Sequence, residues 1–313
     1  MISYLRVWII GTGAVGSAIA AELTRTGRAQ VVLVGSSVHW AAVRARGLRV
    51  AVSGDAPQTL RIDARSLDSL PVLGEQDLVL LTSKLTQLEP TLAILRDKLG
   101  PAAGVIALQN GLGVAQYAGD QLGRPVDRGL VIFGANSPTP GSVILYPGGI
   151  RFGRSAVTEA AGELFSETAI HCTLIDDVHA AEWRKLAINC LANPLAGLLG
   201  ASNARIGQSD LDPAKEAILQ EVHAVAAADG VQLDFTVADF NRYMAGPTGS
   251  NTASLRTDIV RGQPTEIDAI NGAVVELGRC HGVPTPVNAF IVALIKALER
   301  NAAGARTGSG IAH

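Results

Sequence analysis

The chain has 313 residues, 26 Lys plus Arg against 28 Asp plus Glu for a formal net charge of −2, and 48% hydrophobic but only 4% aromatic residues. This length suits about two domains, each burying an apolar core without disulfide or metal staples. The balanced charge gives no global attraction for nucleic-acid backbones or anionic lipid, so a nucleic-acid or membrane-surface protein is not expected. Cys172, Cys190 and Cys280 show no CxxC spacing, which argues against a disulfide framework or metal site and for reduced thiols in the cytoplasm. No apolar run reaches the ~18–20 residues of a spanning helix, and the apolar segment Val7–Ile10 runs into glycines, unlike a signal peptide.

In chain order, Val7–Ile10, Val31–Val34 and Asp77–Thr82 are short β-branched runs separated by amphipathic stretches such as Ala14–Thr26. Such runs fit parallel strands buried on both faces, in βαβ units. Further strands are expected at Leu48–Val52, Leu60–Ala64, Gly104–Leu108, Gly129–Phe133, Val143–Tyr146 and Ile150–Gly153, the last three as an antiparallel meander between Gly and Pro turns. Beyond about residue 175 the pattern turns helical, with segments Val178–Leu199, Ala214–Ala228 and Ile267–Leu277; Ile267, Ile270, Val274 and Leu277 define one buried face. The expected fold is α/β: a doubly wound sheet over residues 1–174 and an all-helical domain over 175–313, with 304–313 disordered.

Gly11-Thr12-Gly13-Ala14-Val15-Gly16 follows a strand and opens a helix. In that context Gly11 permits the tight turn, Gly13 lets the backbone approach a pyrophosphate, and Gly16 lets helix and strand pack closely, with the helix N-terminus facing the anion. An acid about 20 residues on would select NAD. Instead Gly35-Ser36-Ser37 follows the second strand, and no acid appears before Asp55. Ser36, Ser37 and Arg44 are candidate donors to a 2′-phosphate, which favours NADP; the serines serve equally as a helix N-cap.

Only five lysines occur, at 84, 98, 185, 215 and 296. Lys185, Asn189 and Asn193 recur every four residues along one face of an otherwise apolar helix. A lysine desolvated there has its ammonium pKa lowered and suits proton donation to a carbonyl oxygen; the alternative is a lysine that reaches the surface. Asn251 and Ser254 share a helix face, and Glu266 follows a break at Gly262 and Pro264. These side chains either complete a cluster that binds a hydroxy or oxo acid or serve as caps and surface polar groups. Lys84 and Asn110 follow strands, where open α/β sheets place their ligands. His171, His179, His223 and His281 show no metal spacing, and there is no GxSxG or HExxH string.

Together these strings resemble the ketopantoate reductase (2-dehydropantoate 2-reductase) family. The resemblance rests on Gly11–Gly16, Ser83-Lys84, Gln109-Asn110-Gly111-Leu112-Gly113, the run from Trp183 to Asn193-Pro194, Asn203, Asn251–Ser254, and Pro264-Thr265-Glu266-Ile267-Asp268-Ala269-Ile270-Asn271-Gly272. It implies NADPH-dependent reduction of ketopantoate to pantoate on the route to pantothenate and coenzyme A, at a site between a Rossmann domain and a helical domain. It also implies proton delivery by Lys185, a catalytic carboxylate at Glu266, substrate contacts from Asn110, Asn189, Asn193, Asn203, Asn251 and Ser254, and Lys84 near both ligands. One departure is visible: the family usually carries an Arg after the second strand, where this chain has Gly35-Ser36-Ser37. Arg44 substitutes, the serines suffice, or both cofactors are accepted. The rivals are a reductase of another branched 2-oxo acid and a non-catalytic NADP(H) sensor. A homodimer is the assembly considered.

Overall fold

The computed structural model describes residues 4–246 and 253–308. Its contacts divide the chain into two compact units, Met1–Val178 and His179–His313.

The first unit contains, in order, β1 (Arg6–Ile10), α1 (Ala14–Thr26), β2 (Gln30–Val34), α2 (Val38–Arg46), β3 (Leu48–Val52), β4 (Gln58–Leu60), β5 (Asp63–Arg65), β6 (Asp77–Leu81), α3 (Leu88–Arg96), β7 (Gly104–Ala107), α4 (Val114–Leu122), β8 (Asp127–Val131), β9 (Gly134–Asn136), β10 (Ser142–Tyr146), β11 (Gly148–Gly153), α5 (Ala156–Leu164) and β12 (Ile170–Ile175). Eight strands form one sheet in the order β12-β11-β8-β7-β6-β1-β2-β5. Every pairing in it is parallel except β11 with β8. Alternate residues of β1 and β6 enter two different cores: Val7, Ile9, Leu78 and Leu80 on one face, and Trp8, Ile10, Val79 and Leu81 on the other. Burial on both faces explains why these strands read as continuous apolar runs. On the first face lies α1, buried from Gly16 to Leu23, because a second sheet, β4-β3-β10-β9, covers it from outside. A helix enclosed by two sheets has little use for a polar stripe, hence its run of alanines.

The nonlocal pairings differ from the expected ones. Rather than joining a meander, β10 pairs parallel with β3 and antiparallel with β9, while β11 returns to the main sheet. The run Leu60–Ala64 splits into β4 and β5 in different sheets, and β12 was not anticipated. Both differences arise because strand partners are chosen by tertiary packing.

The second unit is helical: α6 (Val178–Leu199), α7 (Asn203–Ile206), α8 (Asp212–Ala228), α9 (Val237–Ala245), α10 (Ser254–Val260), α11 (Asn271–His281) and α12 (Pro286–Gly308). The stretch expected as one helix from Ile267 begins as a 3-10 turn, Ile267–Ala269, and α11 starts only at Asn271; Ile267, Ile270 and Val274 are nonetheless buried and Leu277 half-buried. Helix α12 runs to Gly308, into the first part of the tail expected to be disordered over 304–313, since alanine is a strong helix former and outweighs the single Gly304; residues 309–313 lie outside the described residues. No helix among the described residues is long and apolar enough to cross a membrane.

At the amino end of β6, buried Asp77 accepts hydrogen bonds from Arg6 Nε (2.6 Å) and Nη2 (2.9 Å), Trp8 Nε1 (2.8 Å) and Gly74 N (2.7 Å). Burial alone would raise its pKa, but these donors and the Arg6 charge hold it below the usual carboxylate range. Asp77→Ala strands the Trp8 and Gly74 donors, and an equilibrium urea titration should show a loss of about 2–4 kcal/mol. The folded fraction should keep its nucleotide KM, because the glycine loop lies at the opposite end of the strands. An unchanged midpoint would contradict this role.

Candidate active site

The glycine string forms the turn between β1 and α1. Gly11 has φ +122°, and a Cβ there would lie 2.3 Å from Ser83 N; a Cβ at Gly16 would lie 2.1 Å from Gly11 O. Both positions therefore exclude side chains, and Thr82 Oγ1 donates to Gly11 O at 2.9 Å to seal the turn. At Gly13 a Cβ would meet nothing within 4 Å, and this N-cap residue makes no side-chain hydrogen bond to the first turn of α1. The Ala14 and Val15 amides thus have no side-chain cap, the arrangement an approaching pyrophosphate requires. Thr12, Ala14 and Val15 line this turn by sequence position; Thr12 Oγ1 also lies 2.8 Å from Ser37 Oγ.

After β2, a Cβ at Gly35 would lie 2.4 Å from Thr12 Cγ2, so an acid at that position would have to push aside the Thr12 side chain. Ser37 caps α2, its Oγ accepting from Trp40 N at 3.1 Å; the capping role expected as one alternative is realised. Ser36 is exposed, and Arg44, also exposed, places its Cζ 5.4 Å from the centroid of the Trp40 ring. His39, which no sequence motif marks, also lies on this side of the glycine turn. Its Nδ1 accepts from Gly141 N at 3.3 Å, which assigns the proton to Nε2, 3.0 Å from Ser17 Oγ; Ser137 Oγ lies 2.9 Å from Nδ1. One neutral ring thereby ties α1, α2 and the β9–β10 loop together, and burial lowers its pKa.

Lys84, exposed, and Asn110, half-buried, follow β6 and β7. These strands are adjacent and in register, Leu81 opposite Ala107, so their carboxyl ends present both residues at one sheet edge. The Asn110 loop is pinned by a second residue missed in sequence, Arg128. Its guanidinium is buried and donates to the carbonyls of Ala107 (3.0 Å), Gln109 (2.9 Å), Gly111 (3.1 Å) and Gly129 (2.8 Å). Among the described residues, buried Ser83 Oγ and both amide atoms of Gln109 have no hydrogen-bond partner. Orphaned polar groups beside an open glycine turn fit a polar cofactor at this edge.

In the second unit, α6 aligns Lys185, Asn189 and Asn193 as the spacing requires; Lys185 Nζ is buried, Asn189 half-buried and Asn193 buried. The surface alternative for Lys185 is thereby excluded. Arg184, the preceding residue, points elsewhere, donating to Asp234 O at 3.0 Å and lying over the Phe235 ring. Trp183 Nε1 donates to Asp229 Oδ2 at 2.8 Å, and His179 and His281 meet the same carboxylate at 2.9 and 3.3 Å. Farther along α6, a Cβ at Gly197 would lie 2.6 Å from Leu255 Cδ2. This close packing brings α10, which opens with exposed Ser254, against the helix one turn beyond Asn193. Glu266 is half-buried and begins the 3-10 turn that leads to Asn271, whose amide reaches Cys190 O of α6 at 3.2 Å. Asn203 opens α7 with a buried Oδ1. Asn251 lies outside the described residues. No group of three or more His, Cys, Asp or Glu able to hold a metal occurs among the described residues.

The model of the ketopantoate reductase PanE/ApbA family matches residues 7–156, and that of its C-terminal domain matches residues 177–299. The chain belongs to the ketopantoate reductase family. It is 31% identical to the 2-dehydropantoate 2-reductase of Mesorhizobium japonicum, over 94% of this chain and 98% of that protein. Among solved structures it is similar to a PanE/ApbA family ketopantoate reductase from Ralstonia eutropha JMP134 (TM-score 0.85, 28% identity, 95% and 99% of the two chains). It is equally similar in fold to a D-mandelate dehydrogenase in a ternary structure with NADH and anilino(oxo)acetate (TM-score 0.85, 25% identity, 95% and 99% coverage).

As a ketopantoate reductase family member the chain is an oxidoreductase, and the glycine turn and the polar stripe of α6 each lie within a matched domain. His39 gives a pH signature to the glycine-turn side of the site. Because its pKa is lowered in the folded protein from 6.5, its contribution to stability is present above that value and lost as pH falls toward the folded pKa. Thermal melts should therefore show the stability difference between the parent and His39→Gln shrinking as pH falls from about 7.5 to about 5. Parallel curves would contradict the assignment.

Proposed function

We propose that this protein reduces 2-dehydropantoate to pantoate with NADPH, supplying pantothenate and coenzyme A synthesis, as a cytoplasmic enzyme that assembles as a homodimer. The observation that carries the reading is the buried Lys185 Nζ on a helix whose other polar positions, Asn189 and Asn193, share its face. A sensor that only bound nucleotide would have no use for an ammonium kept from water in this setting.

In this reading the turn Gly11–Gly16 and the α1 N-terminus hold the pyrophosphate, with Thr12, Ser36, Ser37 and Arg44 toward the adenosine ribose and Lys84 and Asn110 toward the nicotinamide side. A nicotinamide cofactor bound there would be the source of the hydride for the carbonyl carbon of the 2-oxo acid. Lys185 gives its ammonium proton to the carbonyl oxygen, so that hydride and proton together turn the ketone into the secondary alcohol. Glu266 positions that ammonium. Asn189, Asn193, Asn203, Asn251 and Ser254 provide neutral donors for the carboxylate and hydroxyl of the substrate, avoiding a further buried charge.

A second reading has a specific observation behind it. Ser37 is committed to capping α2, and Ser36 stands near the position where the family usually carries an arginine, while a relative of the same fold is the D-mandelate dehydrogenase solved with NADH. That reading is an NADH-linked reductase of another 2-oxo acid. Steady-state kinetics with both nucleotides across a panel of branched and aromatic 2-oxo acids separates the two. The proposal expects the highest kcat/KM for ketopantoate with NADPH; a preference for NADH and a bulkier acid supports the second reading, and NADPH binding without turnover on any acid leaves only a sensor. Ser36→Arg should raise the NADPH-to-NADH selectivity about tenfold, equivalent to ~1.4 kcal/mol. An unchanged ratio would place the 2′-phosphate elsewhere.

A further inference from the structure

Helix α6 carries a proline in its interior, Pro194. Proline has no N–H, so the carbonyl of Cys190, four residues earlier, receives no donor from its own helix, and the pyrrolidine ring crowds it. Cys190 has 0% exposure, which leaves that carbonyl dependent on another part of the protein. The donor comes from Asn271 at the start of α11, whose Nδ2 lies 3.2 Å from Cys190 O.

The orientation of this amide is enforced from behind. The Glu221 carboxylate accepts Val287 N at 2.8 Å, Asn288 N at 2.9 Å and Asn288 Nδ2 at 2.7 Å; Asn288 Nδ2 also donates to Ile218 O at 3.3 Å. With its nitrogen so committed, Asn288 presents Oδ1 to Asn271, which must answer with Nδ2, at 2.9 Å. Both amides have 0% exposure. An anion on α8 thus dictates, through two asparagines, that a donor and not an acceptor faces the carbonyl that Pro194 leaves open.

We propose that Asn271 is a positioning residue of the reductase: it replaces the hydrogen bond removed by Pro194 and so sets the geometry of α6 between its Lys185–Asn189 half and its Asn193 half. The same contact ties α6 to the segment bearing Glu266, five residues before Asn271. The inference rests on the reading of Lys185 as proton donor, but it does not require Asn271 to touch substrate.

The test uses Asn271→Ala, Pro194→Ala and the double variant, with thermal melts and with kcat and KM for the best-turned-over 2-oxo acid and nucleotide. Asn271→Ala should lower kcat by roughly 10–100-fold through misplacement of Lys185, with the nucleotide KM within about twofold. Removing the proline restores a main-chain N–H at position 194 that reaches Cys190 O. The double variant should therefore recover kcat to near that of Pro194→Ala alone and melting temperature in part, the remaining deficit coming from the buried Asn288 Oδ1 that loses its Asn271 donor. Should Asn271→Ala fail to fold, recovery of a folded, active double variant carries the same meaning. A double variant as slow or as poorly folded as Asn271→Ala would overturn the proposal. Coupling in melting temperature without coupling in kcat would also overturn it, reducing Asn271 to a stabilising residue. Since melting needs no substrate, failure of the ketopantoate reading alone would leave that coupling in place and appear only in the substrate panel.

Discussion

A helix that must keep three aligned polar side chains inside a largely apolar setting is the constraint around which the second unit is built. Left to burial alone, α6 would be indifferent to rotation about its axis, since apolar residues occupy most of its circumference. Its orientation is set instead by directional contacts along its length: Trp183 Nε1 on Asp229, Cys190 O on Asn271, and the bare backbone at Gly197 beneath Leu255. Each comes from a different helix. The polar stripe of Lys185, Asn189 and Asn193 is consequently held as a unit, which is what a proton donor and its neighbours need if they are to meet one carbonyl group.

The first unit solves a complementary problem. A pyrophosphate can be approached by backbone amides only where side chains are absent, and the glycine turn achieves this by pressing Gly11 against Ser83 and Gly16 against Gly11 O, while Gly13 stays open. Such close packing has to be supported from outside the turn. His39 joins α1 to α2 and the β9–β10 loop, and Arg128 ties together the carbonyls around Asn110. Neither contact adds much apolar burial; both restrict the loops beside the glycine turn and Asn110.

The parts of this arrangement that were legible in the sequence are those encoded locally. The glycine string between a strand and a helix, the four-residue spacing on α6 and the apolar runs of β1, β2 and β6 each depend on neighbours within a few turns or strand lengths. The second sheet was not legible, because β3 pairs with β10 about ninety residues away and no local periodicity encodes that choice. For the same reason His39 and Arg128 escaped notice and Asn271, though part of the Pro264–Gly272 string, was given no role: each is an ordinary polar residue until a distant carbonyl, hydroxyl or amide N–H is brought to it. A weak signal did exist for Asn271, since a proline inside a helical pattern implies a carbonyl in need of a donor. Ser37 shows the opposite limit: its cap was foreseen as one of two roles, and only the hydrogen bond to Trp40 N selects it.

The proposed reaction divides its labour: the first unit would hold the nucleotide and Lys185 would supply the proton. It is tested most directly by comparing the parent and Lys185→Ala for NADPH affinity, by fluorescence titration, and for single-turnover NADPH oxidation with ketopantoate. Affinity should stay within about twofold while the turnover rate falls by about 10²-fold or more. A full rate in the variant, or a loss of nucleotide affinity that parallels the loss of rate, would contradict it.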